Sequence, residues 1–199
     1  MPLLVATHNA GKLREFSALL APLELVSAAA VAPDLKVEET GQTFAENATL
    51  KARAFARASG LIALADDSGL EVDALGGAPG VRSARYGGPD LDDAGRCQVL
   101  LESLRSFPQP EQRSARFRCC LVAWAPDGRH CLAEGSCEGR IAAVPAGEGG
   151  FGYDPLFWVT DYQQTMAQLP PPLKNQLSHR ARALHALRPL LLQTFPELE

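Results

Sequence analysis

The feature that most constrains this chain is that its apolar segments are short and end in polar or glycine-rich motifs. Leu3 to Ala6 is a continuous apolar run that breaks into Thr7-His8-Asn9-Ala10-Gly11-Lys12, and Leu61 to Ala65 breaks into Asp66-Asp67-Ser68-Gly69. Runs of this length bounded by turn residues read as buried strands. Segments of helical period lie between them. Leu13, Phe16, Leu19 and Leu20 recur at helical spacing, and Pro22 closes that helix. Leu23 to Ala28 reads as a second strand. Thr43-Phe44-Ala45-Glu46 has the form of a capping box. The alanine-rich helix it opens is expected to run to about Ser59 and end at Gly60.

The same mixture continues to the end of the chain. Gly76 to Pro89 is too broken for a helix and reads as an ordered loop. Asp92 to Ser106 reads as a helix, Arg116 to Ala125 as a strand, Asp127-Gly128 as a hairpin turn and Arg129 to Ile141 as the returning strand. Gly147 to Pro155 is a second glycine-rich loop, followed by a brief strand at Leu156 to Val159. Thr165 to Leu169 reads as one helical turn before Pro170-Pro171-Pro172. Ser178 is expected to cap a last helix with Ala181, Leu184 and Leu187 on one face, which Pro189 kinks or ends. Strands and helices alternate throughout, which argues for an α/β domain.

The chain has 199 residues, enough for one ordinary domain, here 1–199, with no separable second domain expected. With 46% hydrophobic and 21% charged residues it is neither disordered, collagen-like nor a coiled coil. No apolar stretch approaches the ~20 residues of a membrane helix. The Met1-Pro2-Leu3 start has no basic region, so no signal peptide is expected. The net charge is -4 and no basic stripe is visible, which argues against a nucleic-acid polymer as partner. The five cysteines are odd in number and contain no CxxC pair, so neither a disulfide set nor a zinc site is indicated, and a reducing cytoplasm is the simplest home. Of 19 basic residues, only Lys12, Lys36, Lys51 and Lys174 are lysines, and three of these fall in segments singled out on other grounds.

Five segments carry candidate chemistry. Thr7 to Lys12 joins a strand to a helix start, where free backbone N–H groups and a lysine suit phosphate. It is not a Walker A loop, because Ala6 and Leu13 stand where Gly and Ser or Thr are required. The bland alternative is a capped helix with a surface lysine. Glu38-Glu39 and Asp66-Asp67 are paired carboxylates, and Asp66-Asp67 follows an apolar strand, beyond whose end α/β proteins tend to bind ligands. Mg²⁺ suits such a place, since it takes one or two carboxylates and completes its shell with water and phosphate. A polar Asp-Asp-Ser-Gly turn is the alternative there. In an extended strand the two aspartates point to opposite faces, so one of them is expected to face the site. Lys51 lies one turn after Glu46-Asn47 on a thin, alanine-rich helix. Gly149 to Asp154 lets backbone approach a flat ligand and offers Phe151 or Tyr153 for stacking on a base. Lys174 and Ser178-His179-Arg180 place cations at a helix start. Cys119-Cys120 lies in a strand and reads as packing.

These ordered segments resemble the inosine triphosphate pyrophosphatase family, the XTP/dITP diphosphatases. The resemblance covers nearly the whole chain. It rests on Thr7-x-Asn9-x-x-Lys12, Glu38-Glu39-Thr40-Gly41, Phe44-x-x-Asn47-Ala48-x-x-Lys51-Ala52 and Ala65-Asp66-Asp67-Ser68-Gly69-Leu70. It continues through Gly76-Gly77-Ala78-Pro79-Gly80-Val81-x-Ser83-Ala84-Arg85-Tyr86, Gly149 to Pro155 and Ser178-His179-Arg180. Two departures are His8, where Gly is frequent, and the triple proline before Lys174.

The resemblance implies an elongated, twisted mixed β-sheet flanked by helices, in two lobes around a central cleft, and a homodimer. It implies Mg²⁺-dependent hydrolysis of ITP, dITP and XTP between the α and β phosphates, giving the monophosphate and pyrophosphate and cleansing the nucleotide pool. Carried over, Thr7, His8, Asn9, Ala10, Gly11 and Lys12 hold the triphosphate. Glu38 and Asp67 serve the metal, with Glu39 and Asp66 in reserve. Asp67 also accepts the proton of the attacking water, and Lys51 stabilises charge beside it. Ser68 contacts the substrate. Phe151, Gly152, Tyr153, Asp154, Lys174, His179 and Arg180 bind the nucleotide, mostly at its base. Preference for 6-oxo purines is expected from donors aimed at the ring oxygen. The competing reading is a catalytically silent purine nucleotide sensor, in which the carboxylates only neutralise lysines.

Overall fold

The computed structural model describes residues 1–198. The chain divides into two compact units. The first holds Met1–Asp67, Cys119–Gly135 and the segment from His179, and the second holds Ser68–Arg118 and Ser136–Ser178. The first contains β1 (Leu3–Val5), α1 (Ala10–Leu19), β2 (Leu25–Ser27), the short α2 (Ala28–Val31) and α3 (Phe44–Ser59). It also contains the start of β3 (Ala63–Val72), the end of β4 (Ser114–Trp124), the start of β5 (His130–Ile141), and α6 (His179–Thr194). The second contains the remainder of those three strands, α4 (Asp93–Ser103), β6 (Phe157–Val159), β7 (Gln164–Thr165) and α5 (Pro171–Leu177). The strands form a mixed seven-stranded sheet in the order β2-β1-β3-β4-β5-β6-β7. β1 is parallel to both β2 and β3, whereas β6 is antiparallel to β5 and β7.

In the first unit, strand parity decides which residue meets which helix. Leu3 and Val5, Ile62 and Leu64, and Cys119, Leu121 and Ala123 share one core with Phe16 and Leu20 beside α1 and Leu184, Leu187 and Leu191 of α6. Alternate residues of a strand point to opposite faces. Asp66 therefore shares the face of Ile62 and Leu64, and Asp67 shares that of Ala63 and Ala65. α3 buries Phe44, Asn47, Ala48, Ala52, Phe55 and Ala56 on its own inward side. Its Thr43 cap accepts from the N–H of Glu46 at 3.1 Å, and Gly60 ends it at φ 72°, as the capping box and glycine predict. The second unit has its own core of Leu70, Val72, Leu100, Leu104, Phe117, Leu156 and Phe157, among others.

Several elements differ from the sequence expectation. β3 does not stop at Ala65 but runs through Asp66-Asp67-Ser68-Gly69 to Val72. A buried carboxylate is tolerated in a strand when its oxygens are bonded, and both aspartates have such partners. α2 and β7 are short elements without a periodic signal. α5 starts within the triple proline, with Pro171 and Pro172 in its first turn, where a missing N–H leaves no hydrogen bond unmade. α6 continues past Pro189 to Thr194, because Leu187 and Leu191 are both fully buried and anchor the helix on either side.

That continuation generates a test. Pro189 is exposed, and inside a helix proline forfeits one backbone hydrogen bond and crowds the preceding turn, a penalty of ~3 kcal/mol. Pro189→Ala is expected to raise unfolding stability by about 1–3 kcal/mol in urea titration. No change, or a loss, would show that the last turns of α6 are not held as a regular helix.

Candidate active site

The first unit builds a charged centre around the middle of β3. β1 ends at Val5, and the chain after it turns away into α1, leaving β3 to extend beyond its neighbour. The turn is internally organised. Thr7 Oγ1 accepts from the N–H of Asn9 at 3.1 Å, and Asn9 Oδ1 caps α1 by accepting from the N–H of Lys12 at 3.0 Å. Thr7, His8, Asn9 and Ala10 stay at the surface, so the helix start is open to an anion. His8 also lies near Phe55, with ring centroids 6.0 Å apart.

Asp66 is the more deeply buried of the two aspartates, its side chain only 1% exposed. Lys12 Nζ donates to Oδ1, and Arg180 Nε donates to Oδ2 at 2.6 Å. The Cys119 thiol lies 3.4 Å from the same Oδ2. Arg180 is itself buried and donates through Nη1 to Glu15, one turn after Lys12 on α1. Burial alone would push the Asp66 carboxyl up, but the charges and hydrogen bonds of Arg180 and Lys12 hold it well below the usual carboxylate range. Burial and the Asp66 charge push the Cys119 thiol well up, so it stays a neutral packing group.

Asp67 faces the other way, towards α3. Lys51 Nζ lies 2.9 Å from Asp67 Oδ1 and 2.7 Å from Glu39 Oε1. Asn47, one turn before Lys51, donates from Nδ2 to Asp67 Oδ2 at 3.2 Å. The same Asn47 accepts the N–H of Gly41 at 2.8 Å, tying the Glu38–Gly41 loop to α3. A Cβ at Gly41 would lie 2.7 Å from Asn47 Oδ1 and 2.6 Å from Glu46 Cβ, so the loop needs glycine there. Burial pushes the Asp67 carboxyl up, and Lys51 offsets this only in part, since Glu39 adds repulsion. Burial would lower the Lys51 ammonium, but Asp67 and Glu39 hold it above its ordinary value.

These carboxylates fit a hard cation of the magnesium kind. Their oxygens are the right donors, and Asp67 is 6% exposed beside a second acidic segment. Glu39 is engaged by Lys51, whereas the exposed Glu38 side chain has no hydrogen-bonding or ionic partner among the described residues. No cluster of three or more His, Cys, Asp or Glu side chains is gathered among the described residues. A cation here would draw most of its shell from water and substrate phosphate, as Mg²⁺ commonly does.

The second unit holds the glycine-rich loop. Asp154 Oδ2 accepts from the N–H of Phe151 at 2.9 Å and from Lys174 Nζ at 2.6 Å. Lys174 Nζ also lies 5.0 Å from the Phe151 ring centroid. Gly150 has φ 77°, and a Cβ there would strike the Asp154 carboxylate at 2.0 Å. Tyr153 is buried, its hydroxyl donating to the carbonyl of Ser83 at 2.9 Å, so of the two aromatics considered for stacking only the half-buried Phe151 presents a ring. Ser68, half-buried, follows Asp67 directly in β3.

The structure thus brings Asp67, Lys51 and Glu39 together, and separately Lys12, Asp66 and Arg180. Arg180, expected at the base, is a buried strut between two carboxylates, and the neighbouring His179 is also buried. Asn47 and Glu15 were not singled out as site residues. For Asn47 the signal was present: it stands four residues before Lys51, hence on the same helix face. Nothing local marks Glu15 as the partner of a residue 165 positions away.

The Ham1 family model matches residues 3–190. A dITP/XTP pyrophosphatase of Desulforamulus reducens is 52% identical over 92% of each chain. That of Bacillus subtilis is 48% identical over 94% of this chain and 96% of its own. The Ham1 protein structure from Staphylococcus aureus is similar with a TM-score of 0.85 and 40% identity, covering 96% of this chain and 98% of its own.

The Asp66 cluster makes a stability prediction with a definite sign. A carboxyl held low in the folded state contributes stability above its unfolded pKa of about 3.9, and that contribution is lost as pH falls towards the folded value. Asp66→Asn is expected to lower unfolding free energy by about 3 kcal/mol at pH 7, with the gap to wild type narrowing only below about pH 4. Urea titrations from pH 3 to 8 check this. A gap that widens with acid would contradict the assignment.

Proposed function

The chain belongs to the Ham1 family, and from that premise we propose how its residues carry the reaction of a dITP/XTP pyrophosphatase. It hydrolyses non-standard purine nucleoside triphosphates. The products are the nucleoside monophosphate and pyrophosphate. The observation that carries the residue assignment is Asp67, a buried carboxylate whose pKa is raised and which is gripped by Lys51 and Asn47.

Phosphoryl chemistry asks a protein mainly for positioning and charge stabilisation. The open start of α1, with Thr7, His8, Asn9, Ala10, Gly11 and Lys12, binds the triphosphate. Lys12 then exchanges part of its bond with Asp66 for phosphate oxygens, while Arg180 keeps Asp66 neutralised. Asp67 takes the proton of the water that attacks the α phosphorus. The bond from that phosphorus to the bridging oxygen breaks, and pyrophosphate leaves with the electron pair. Lys51 stabilises negative charge beside Asp67. Asn47 holds Asp67 Oδ2, which leaves the carboxylate one preferred orientation. Glu38 and Asp67 would hold Mg²⁺, which would supply positive charge for the phosphate oxygens. In the second unit Ser68, Phe151, Gly152, Asp154 and Lys174 serve the nucleoside, with Phe151 stacking on the base and Tyr153 holding its surroundings. His179 and Arg180, expected there too, are buried in the first unit, where Arg180 acts by holding Asp66. The family resemblance also supports a homodimer in the cytoplasm. No helix among the described residues is long and apolar enough to cross a membrane.

Base choice follows from unpaired donors. A 6-amino purine leaves each donor aimed at the ring oxygen unmatched, at about 1–3 kcal/mol apiece. Two such mismatches give roughly a hundredfold preference against ATP.

A triphosphate panel scored for the phosphorus product tests the reading. With Mg²⁺, dITP, XTP and ITP are expected to release pyrophosphate, ATP about a hundredfold more slowly, and chelation to stop the reaction. Asp67→Asn is expected to lower kcat by about 10²–10⁴-fold while nucleotide binding persists. Orthophosphate as the product, or equal rates on ATP and ITP, would overturn it. Turnover untouched by Asp67→Asn would leave the carboxylate without its catalytic role.

A further inference from the structure

We propose that Asp93, in the first turn of α4, is a positioning residue for the nucleotide base: it latches the glycine-rich loop through the peptide that follows Phe151. The inference rests on the reading above that this loop receives the base. Asp93 Oδ2 accepts from the N–H of Gly152 at 2.6 Å. Cys97, one turn later on the same face of α4, places its thiol 3.5 Å from the carbonyl of Gly152. Both peptide groups flanking Gly152, which has φ 60°, are therefore tied to one helix face.

The consequence falls on Phe151. Its own N–H is fixed by Asp154 at 2.9 Å, and its carbonyl accepts from the N–H of Asp154 at 3.2 Å. The remaining donor of the peptide between Phe151 and Gly152 goes to Asp93. The ring that stacks on the base is thus set from one side by Asp154 and Lys174 and from the other by α4. Without Asp93 that peptide keeps only the Asp154 bond to its carbonyl, and the Phe151 ring loses its restraint from α4.

Asp93 is not needed as a helix cap or as a core group. The cap of α4 is Asp92, whose Oδ1 accepts from the N–H of Gly95 at 2.8 Å. The Asp93 side chain is 56% exposed, and its ion pair with Arg96 is loose at 3.5 Å. Exposed pairs of this kind contribute little to stability. The bond to Gly152 is consequently one that the loop geometry uses and the fold can lose.

Steady-state kinetics of the full-length protein on dITP and XTP test this. Asp93→Ala is expected to raise KM about fivefold, the scale of one lost hydrogen bond, with kcat and melting temperature nearly unchanged. Asp93→Asn keeps an acceptor oxygen and is expected to restore most of the wild-type KM. Phe151→Ala, measured beside them, is expected to raise KM at least as much. If Phe151→Ala raises KM and Asp93→Ala does not, the latch is overturned and the loop keeps its base-binding role. If neither changes KM, the base-binding role of the loop falls and the latch with it. A parallel drop in kcat and melting temperature for Asp93→Ala, unrelieved by Asp93→Asn, would mark a merely structural residue and also overturn the proposal.

Discussion

A carboxylate almost sealed from water must be neutralised where it stands, and the first unit is organised around meeting that demand at Asp66. Two cations reach it, Lys12 from α1 and Arg180 from α6, and Arg180 is balanced in turn by Glu15 on α1. Four alternating charges therefore join α1, β3 and α6, with no net charge among them. Lys12 and Glu15 sit one turn apart on α1, so this short helix is gripped at two points of one face. That grip holds the Thr7–Lys12 turn in place, and with it the open start of α1. Under the proposed function, the phosphate site inherits its rigidity from this ion-pair network.

The second dependence is on parity. Adjacent residues of β3 reach opposite faces, so two chemically identical side chains meet different surroundings. At Asp66 two cations overcome burial and push the carboxyl down; at Asp67 burial pushes it up, and Lys51, shared with Glu39, offsets this only in part. Environments that drive paired titratable groups apart also divide their roles. The lower one is a permanent anion suited to holding other groups. The raised one suits the proton-accepting role proposed for it. Exchanging the roles of the two aspartates would require moving α3, α1 and α6 to opposite sides of the strand.

Much of this was legible in the sequence because its signals are local. The capping box at Thr43-Glu46, the stop at Gly60, the helical spacing after Lys12 and the turn at Asp127-Gly128 each act within a few residues, and each appears where expected. What escaped depends on distant partners. Asp66-Asp67-Ser68-Gly69 has turn chemistry, yet stays in strand because Lys12, Arg180, Lys51 and Asn47 satisfy it. Pro189 has helix-breaking chemistry, yet is overruled by leucines buried on either side. Phe151 and Tyr153 are near-equivalent in sequence, and only the Ser83 carbonyl, 70 positions away, separates a buried anchor from a presented ring.

The scarcity of lysine acquires a physical sense at this centre. Arg180 bridges two carboxylates through different nitrogens of one rigid fork, which fixes the direction of each bond as a freely rotating ammonium does not. Its charge is fixed in place and cannot follow a substrate. Lys12 and Lys51 are point charges on flexible stems, Lys12 resting on Asp66 and Lys51 on Asp67 and Glu39. Under the proposed function, such a cation turns from carboxylate to phosphate with little rearrangement of its neighbours. Arg180 stays behind to keep Asp66 from standing as an unpaired buried charge. Arginine where charge must be held and lysine where it must be handed over is the division that a site built for a transient, highly anionic guest requires.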